Sequence, residues 1–259
     1  TGSHLMLLEN VNYRRDILAV LGMSGSIRSL GAVLNLVEDD ALALDVDLAL
    51  RTLGEKCIDH ITGLLKHHDP LVRQKGIRTL KNMESVEAVE ELHTLLGDES
   101  GHVRKDAVVA LSSLGAGSSI EKLFPVLEDE YSDVAQSAAH AIVRLGQRSP
   151  EDLAARIVPM LPNAGSGLYT LLLMILTEVK AADWETLCLN AAQNTEPEVR
   201  AVAVSCLKHS ESASAIATII NSLADEDPHV RAQAVVTLEE LKHPEAIVPV
   251  SSGNCAGCG

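Results

Sequence analysis

Residues 227–238 read DPHVRAQAVVTL, and similar stretches stand at 196–207 (EPEVRAVAVSCL) and 69–80 (DPLVRQKGIRTL). In each stretch, small or apolar residues follow a valine at four and eight positions, which is the spacing of one face of an α-helix. An apolar residue in the valine position recurs along the chain at intervals of 29 to 34 residues. These reference residues are Tyr13, Leu42, Val72, Val103, Val134, Leu168, Val199 and Val230. A period of this length predicts stacked repeats.

A second apolar stripe follows the reference residue after about 17 positions, as in Val89, Leu92 and Leu96. Its spacing predicts a second helix that faces the same core. An acidic turn then leads into the next repeat, as in Asp69-Pro70 and Asp227-Pro228. A carboxylate at this place can accept hydrogen bonds from free helical N–H groups, and Pro suits the first helical turn. Each repeat is therefore predicted to be a pair of helices.

Glycine often stands twelve residues after the reference residue, where the first helix should end. The four cases are Gly25, Gly54, Gly115 and Gly146. Glycine adopts the left-handed conformation of a helix C-cap without steric cost. We therefore expect a left-handed cap at these positions.

The quoted stretches resemble HEAT repeats, and the short period resembles the HEAT-like repeats of prokaryotic proteins and of bilin lyases (the PBS-lyase type). The resemblance covers roughly residues 8–250. It implies an all-α fold, a right-handed α-solenoid or armadillo/HEAT-like superhelix of about eight two-helix repeats, the last incomplete. We expect residues 1–4 to be a cloning remnant, residues 5–250 to form the repeats and residues 251–259 to be a flexible tail.

Composition excludes several classes of partner. The formal net charge is −15, which argues against a nucleic-acid backbone and against anionic membrane surfaces, because both require clustered Lys and Arg. The most apolar run, LYTLLLMILTEV at 168–179, is too short to span a bilayer. Five cysteines without a disulfide framework favour a reducing cytoplasm. A partner with basic flanks fits the acidity.

Two groups of residues have the types that ligate metals. Cys255 and Cys258 form a C-x-x-C pair, but no second pair has the spacing of a zinc site. His67 and His68 are adjacent, so their side chains point about 100° apart on a helix; we interpret them as a helix end, with Asp69 capping the next helix. Cys206 is expected to pack in the core. The sequence therefore predicts no metal, no cofactor and no catalytic residue.

Arginine follows the reference valine in four repeats. These arginines are Arg73, Arg104, Arg200 and Arg231, whereas Ala135 and Tyr169 stand at the same place in two other repeats. They could form a basic binding surface. We prefer a structural interpretation, in which each arginine binds carbonyl or acidic groups of the turns and clamps neighbouring repeats together.

The resemblance also implies a binding surface, because the second helices of HEAT stacks line the concave face. A column of outward positions on these helices becomes apolar along the chain and comprises His93, Phe124, Val158, Cys188 and Ile220. A mostly acidic rim accompanies it and comprises Glu90, Glu91, Glu121, Lys122, Arg156 and Glu185. Such a stripe suits an amphipathic helix or an extended peptide. Alternatively, the column residues are half-buried and only pack neighbouring helices together.

We therefore expect a non-catalytic scaffold that presents a concave surface to a peptide, helix or protein, as a module of a larger cytoplasmic protein. The alternative is a bilin-lyase-like or other catalytic HEAT-repeat subunit, for which the sequence shows no cluster of titratable groups by spacing. Self-association through the incomplete last repeat is a third expectation.

Overall fold

The computed structural model describes residues 16–20, 23, 33, 36, 42–53 and 57–242. All regular elements in this part of the chain are helical, and none of its residues lies in a strand. The chain divides into two compact units, Thr1–Ala141 and Ile142–Gly259. The expected tail, the pair Cys255 and Cys258, and the end of the last repeat lie outside the described residues.

Unit 1 alternates first and second helices, with short 3₁₀ turns between them. The helices are α1 (Ala43–Leu53), α2 (Ile58–Leu64), α3 (Pro70–Asn82), α4 (Val89–Thr94), α5 (Gly101–Ser113), α6 (Ile120–Leu123) and the first part of α7 (Ser132–Gly146). The apolar stripe of every second helix points inward, because Ile61, Leu92 and Leu123 have no exposed surface. The two predicted stripes therefore share one core.

Unit 2 continues the same alternation. It contains the end of α7, then α8 (Pro150–Ile157), α9 (Ser166–Glu178), α10 (Trp184–Ala191), α11 (Pro197–Cys206), α12 (Ala213–Asn221) and α13 (Pro228–Leu241). Its core joins first and second helices through residues such as Leu173, Val204, Ile219 and Leu238. Small residues at the middle of the stripe, such as Ala203, are fully buried, so the helices pack closely.

The acidic turns begin the first helices as expected. Asp69 accepts a hydrogen bond from the Leu71 N–H, and Asp227 accepts bonds from the N–H groups of His229 and Val230. Proline occupies the first turn of both helices. Glu196 precedes α11 in the same way but makes no side-chain cap. The carboxylates therefore stabilise two of these three helix starts directly.

The position twelve residues after the reference residue is left-handed in four repeats. Gly115 has φ +67°, as predicted, and the same conformation occurs at Glu84 (54°), Lys180 (54°) and Lys242 (49°). The prediction for Gly146 is wrong, because this residue ends α7 in ordinary helical conformation. A Cβ at Gly146 would overlap the end of the Leu153 side chain, which would have to shift. Gly25 and Gly54 lie outside the described residues.

Across residues 57–242 and the shorter described segments, no helix has the length and apolar content that crossing a bilayer requires.

Candidate functional site

Arg104 shows how the repeated arginines are used. Its Nη1 donates to the carbonyl oxygens of Asp98 (2.8 Å) and Glu99 (3.4 Å), which close the preceding second helix. Its Nε and Nη2 donate to the carboxylate of Asp129 in the next turn, at 2.6 and 2.8 Å. Both side chains are more than nine-tenths buried. One arginine thus joins two successive inter-repeat turns.

The same arrangement recurs in both units, and we call it the arginine ladder. Arg73 binds the carbonyls of His67 and His68 and the carboxylate of Asp98. Arg200 binds the carbonyls of Asn194 and Thr195 and the carboxylate of Asp225. Arg231 donates to the carbonyls of Asp225 and Glu226. The structural interpretation of these arginines is confirmed.

Each ladder carboxylate also organises its own turn. Asp98, Asp129 and Asp225 accept a hydrogen bond from the backbone N–H two residues on, each at 2.9 Å. The bond from Arg104 holds the pKa of Asp129 below its usual value, and the bond from Arg200 does the same for Asp225. Asp129 and Asp225 are therefore ionised and structural, so they are not candidates for proton transfer.

A regular spacing of opposite charges in the sequence accompanies the arginine ladder. Each ladder pair joins an arginine to an aspartate 25 positions later. Where Tyr169 replaces the arginine, the turn residue 25 positions on is the neutral Asn194, whose Oδ1 accepts the Glu196 N–H at 2.9 Å. This charge matching could have been found by aligning the repeats with one another.

His67 occupies the turn position that Asp98 occupies one repeat later. Like Asp98, it accepts a hydrogen bond from the backbone N–H two residues on. Its Nδ1 accepts the Asp69 N–H at 3.1 Å, and its ring lies 4.2 Å from that of His68, centroid to centroid. In the part of the chain that the structure describes, no three His, Cys, Asp or Glu side chains are grouped to hold a metal ion. The interpretation of these histidines as a helix end agrees with the geometry.

The predicted surface column is not uniform. Val158 is 41% exposed, whereas His93, Phe124 and Ile220 are half-buried. Cys188 is fully buried, so its assignment to the exposed column is wrong. Helix α10 is offset by one residue against the expected register, and the half-buried place belongs to Leu189.

His93 and Glu185 connect neighbouring second helices. His93 Nε2 lies 2.8 Å from Ser119 Oγ, and its Nδ1 lies 3.5 Å from a Glu90 carboxylate oxygen. This order resembles a serine–histidine–acid relay, but Ser119 has no exposed surface and cannot meet a substrate. In unit 2, Ser212 donates from Oγ to Glu185. Both contacts stabilise the stack.

A regular acidic surface in unit 1 includes two of the rim residues, Glu90 and Glu121. Asp59, Glu90 and Glu121 occupy the same register on α2, α4 and α6, two residues before a buried leucine or isoleucine, and all are exposed. We call them the acidic row. The corresponding exposed residues of unit 2 are Ala155, Thr186 and Ala217. The other rim residues divide into exposed Lys122 and Arg156 and half-buried Glu91 and Glu185.

These features define a protein of tandem two-helix repeats, clamped by buried arginine–aspartate pairs. A sequence profile described as HEAT repeats matches residues 58–143 and 185–252, which together make up more than half of the chain. The chain therefore belongs to the HEAT-repeat family. No curated protein matches it significantly.

Several solved structures resemble the chain in part. The Escherichia coli protein YibA matches with a TM-score of 0.48 and 16% identity, over 79% of this chain and 77% of that one. Human deoxyhypusine hydroxylase matches with a TM-score of 0.39 and 17% identity, over 93% and 92%. The CpcE–CpcF complex of phycocyanin lyase from Nostoc sp. PCC7120 matches with a TM-score of 0.39 and 16% identity, over 85% and 91%.

Proposed function

We propose that this chain is a non-catalytic scaffold that binds a basic segment of a partner protein on the second helices of unit 1. The observation that carries the proposal is the acidic row of Asp59, Glu90 and Glu121. The three acids recur at intervals of 31 residues and are exposed, whereas unit 2 has only neutral residues in that register. Repeated exposure of one charge on successive helices suits an extended partner.

The half-buried residues beneath the acidic row complete this surface. His93 and Phe124 follow Glu90 and Glu121 by three positions, so each lies on the same side of its helix as the acid. Both residues are half-buried, and the His93 side chain is 10% exposed. A partner with Lys or Arg beside an apolar side chain matches both components.

Most other polar groups that could perform chemistry are used inside the stack. The ladder arginines bind carbonyls and carboxylates, and the Ser119 hydroxyl is buried against His93. Cys57, Cys188 and Cys206 are free buried thiols, which suits a reducing compartment such as the cytoplasm. This use of polar groups supports a scaffold rather than an enzyme.

The test is affinity capture from a lysate of the source cell with three matched baits. The first is the unaltered chain, and the second carries Asp59→Lys, Glu90→Lys and Glu121→Lys. The third is the control, with Glu198→Lys, Glu211→Lys and Glu239→Lys, which changes the net charge equally at exposed positions of unit 2. Circular dichroism and thermal unfolding check that all three fold.

We expect a protein that the unaltered chain and the control recover and that the acidic-row variant loses. Its binding should weaken as salt rises, because exposed charges are screened over about 8 Å at physiological ionic strength. Carbodiimide, which joins lysine amines to carboxylates, should link it to the acidic row. Equal recovery by all three baits would contradict the proposal, and retention of a small molecule instead would favour the catalytic alternative.

A further inference from the structure

A cleft of about 290 Å³ lies between three first helices of unit 2. The middle helix, α11, forms its base, since Ala201 and Cys206 are only 3% and 6% exposed. Met174 of α9 lines one side, and His229 and Gln233 of α13 line the other. We call this space the α11 cleft.

The α11 cleft is open because the side chains of α11 are short there. Ala201 and Ser205 follow their reference valine by two and six positions, where α3 has Gln74 and Arg78. In unit 1 these two longer side chains both reach Asp106 on the neighbouring first helix, at 2.9 Å from Gln74 Nε2 and 3.4 Å from Arg78 Nη2. They cross the groove between α3 and α5. Alanine and serine are too short to do so, and the groove beside α11 therefore remains as a cleft.

The α11 cleft has an apolar base and a polar end. Ala201, Val202 and Cys206 lie along the base, and Lys208 and His209 follow in the turn after α11. His209 stands eight positions after Ala201, which is about 12 Å along a helix. Small-molecule sites combine an apolar lining with a few polar groups that fix the orientation of the ligand. A narrow apolar body with one polar head group matches this arrangement.

Lys208 decides the charge of that head group. Its side chain is 36% exposed, and its Nζ lies 3.1 Å from Glu240, whose side chain is 49% exposed. A half-exposed ion pair of this kind is weak, so the ammonium can also bind the carboxylate of a ligand. Glu178 lines the cleft as well but is exposed, and water and salt screen its charge more than that of Lys208. The ring of His209 adds a second hydrogen-bond donor.

We propose that the α11 cleft binds a small alkyl carboxylate, with its chain along Ala201 and Val202 and its carboxylate at Lys208 and His209. The site is separate from the acidic row, which lies in unit 1. The Cys206 thiol borders the bound chain, so its alkylation reports whether the cleft is occupied.

Alkylation of Cys206 by iodoacetamide measures binding at this site in the full-length chain. Cleavage after Arg200 and Lys208 places Cys206 in peptide 201–208, and Cys57 of unit 1, in peptide 57–66, is the internal control. We expect octanoate to slow the alkylation of Cys206 in a saturable way and to leave that of Cys57 unchanged. Hexanoate should bind about tenfold more weakly, because it buries two fewer methylene groups. Octylammonium, which has a similar chain and the opposite charge, should bind more weakly than octanoate.

Two variants locate the carboxylate. Because Lys208 binds Glu240 near the end of α13, His229 at the start of α13 lies at the opposite end of the cleft. Lys208→Gln should raise the Kd of octanoate about threefold or more, whereas His229→Gln should leave it unchanged. Isothermal titration calorimetry measures both values, since Lys208→Gln removes a tryptic site and a charge beside Cys206. The proposal is wrong if octanoate does not protect Cys206, if octylammonium protects it equally well, or if the two variants bind octanoate with the same Kd.

Discussion

Single residues in this protein adopt conformations that their own chemistry disfavours. Glu84, Lys180 and Lys242 have positive φ at the position where Gly115 has it. A side chain with a Cβ is strained in this region by about 1–2 kcal/mol. The surrounding helices impose the turn, because the same left-handed position recurs in all four of these repeats.

Replacing Lys180 with glycine should therefore stabilise the protein. The relief of strain exceeds the extra chain entropy that glycine loses on folding, about 0.5–1 kcal/mol. We expect the free energy of unfolding in urea to rise by about 0.5–1 kcal/mol. Lys180→Ala is the control and should give no gain, since alanine keeps the Cβ. Equal stability of both variants would contradict the argument.

The register of α10 decides whether Cys188 lies at the surface or in the core. Counting from the start of the helix places Cys188 in the exposed column, but α10 begins one residue out of register with the other second helices. A shift of one residue rotates a side chain by about 100°. That rotation is enough to exchange a surface position for a core position.

Pairs of elements are held together by the arginine ladder. Arg104 lies on α5, and its carboxylate partner Asp129 lies in the turn before α7, so the contact crosses from one repeat to the next. Adjacent Lys105 makes a similar link to Asp133, at 3.0 Å, but with half-exposed side chains. The two pairs differ mainly in burial.

Arg104→Ala should destabilise far more than Lys105→Ala. Removing the arginine leaves Asp129 buried and unpaired, which costs about 3 kcal/mol or more. The exposed lysine pair contributes roughly 0–1 kcal/mol. Urea unfolding of both variants measures the difference. Similar losses of unfolding free energy in the two variants would contradict a larger contribution from the buried pair.

The gap in the ladder at Tyr169 can be filled by design. Tyr169→Arg with Asn194→Asp recreates an arginine and an aspartate 25 positions apart, as in Arg200 and Asp225. Each single change should destabilise, because it buries part of an unpaired charge. The double variant should be more stable than the sum of the singles by about 1 kcal/mol or more in a double-mutant cycle. A coupling energy near zero would contradict the pairing of an arginine with an aspartate 25 positions later.

At the scale of the whole molecule, stability depends on keeping Asp129 and Asp225 ionised. The pKa values of Asp129 in unit 1 and Asp225 in unit 2 are lowered by their arginines. An aspartate in the unfolded chain has a pKa of about 3.9. The stabilisation is therefore fully present above about pH 4 and is lost as the pH falls through the lower folded pKa.

Arg104→Ala should flatten this dependence on acid. Without the arginine, Asp129 no longer binds its proton more weakly in the folded state, so less stability is lost on acidification below about pH 4. Thermal unfolding from pH 6 to pH 2 measures the slope for the unaltered chain and the variant. Lys122→Ala, at an exposed lysine, is the control and should keep the original slope. An unchanged slope in Arg104→Ala would contradict the role of Asp129.

The sequence by itself determined the repeat architecture, the two-helix unit, and the structural use of the arginines. These features are local and periodic: the apolar spacing within Val103–Leu111 specifies a helix face, and its recurrence specifies the stack. Even the ladder pairing could have been read from charges 25 residues apart. None of these inferences required a distance between remote side chains.

Only the tertiary structure decided which residues are buried and which side chains meet. It placed Cys188 in the core of unit 2, set His93 Nε2 2.8 Å from Ser119 Oγ, and left the acidic row exposed. Burial depends on where each helix starts and how it packs against its neighbours, and a one-residue offset reverses it. Periodicity specifies that helices stack, whereas packing determines the contacts between them.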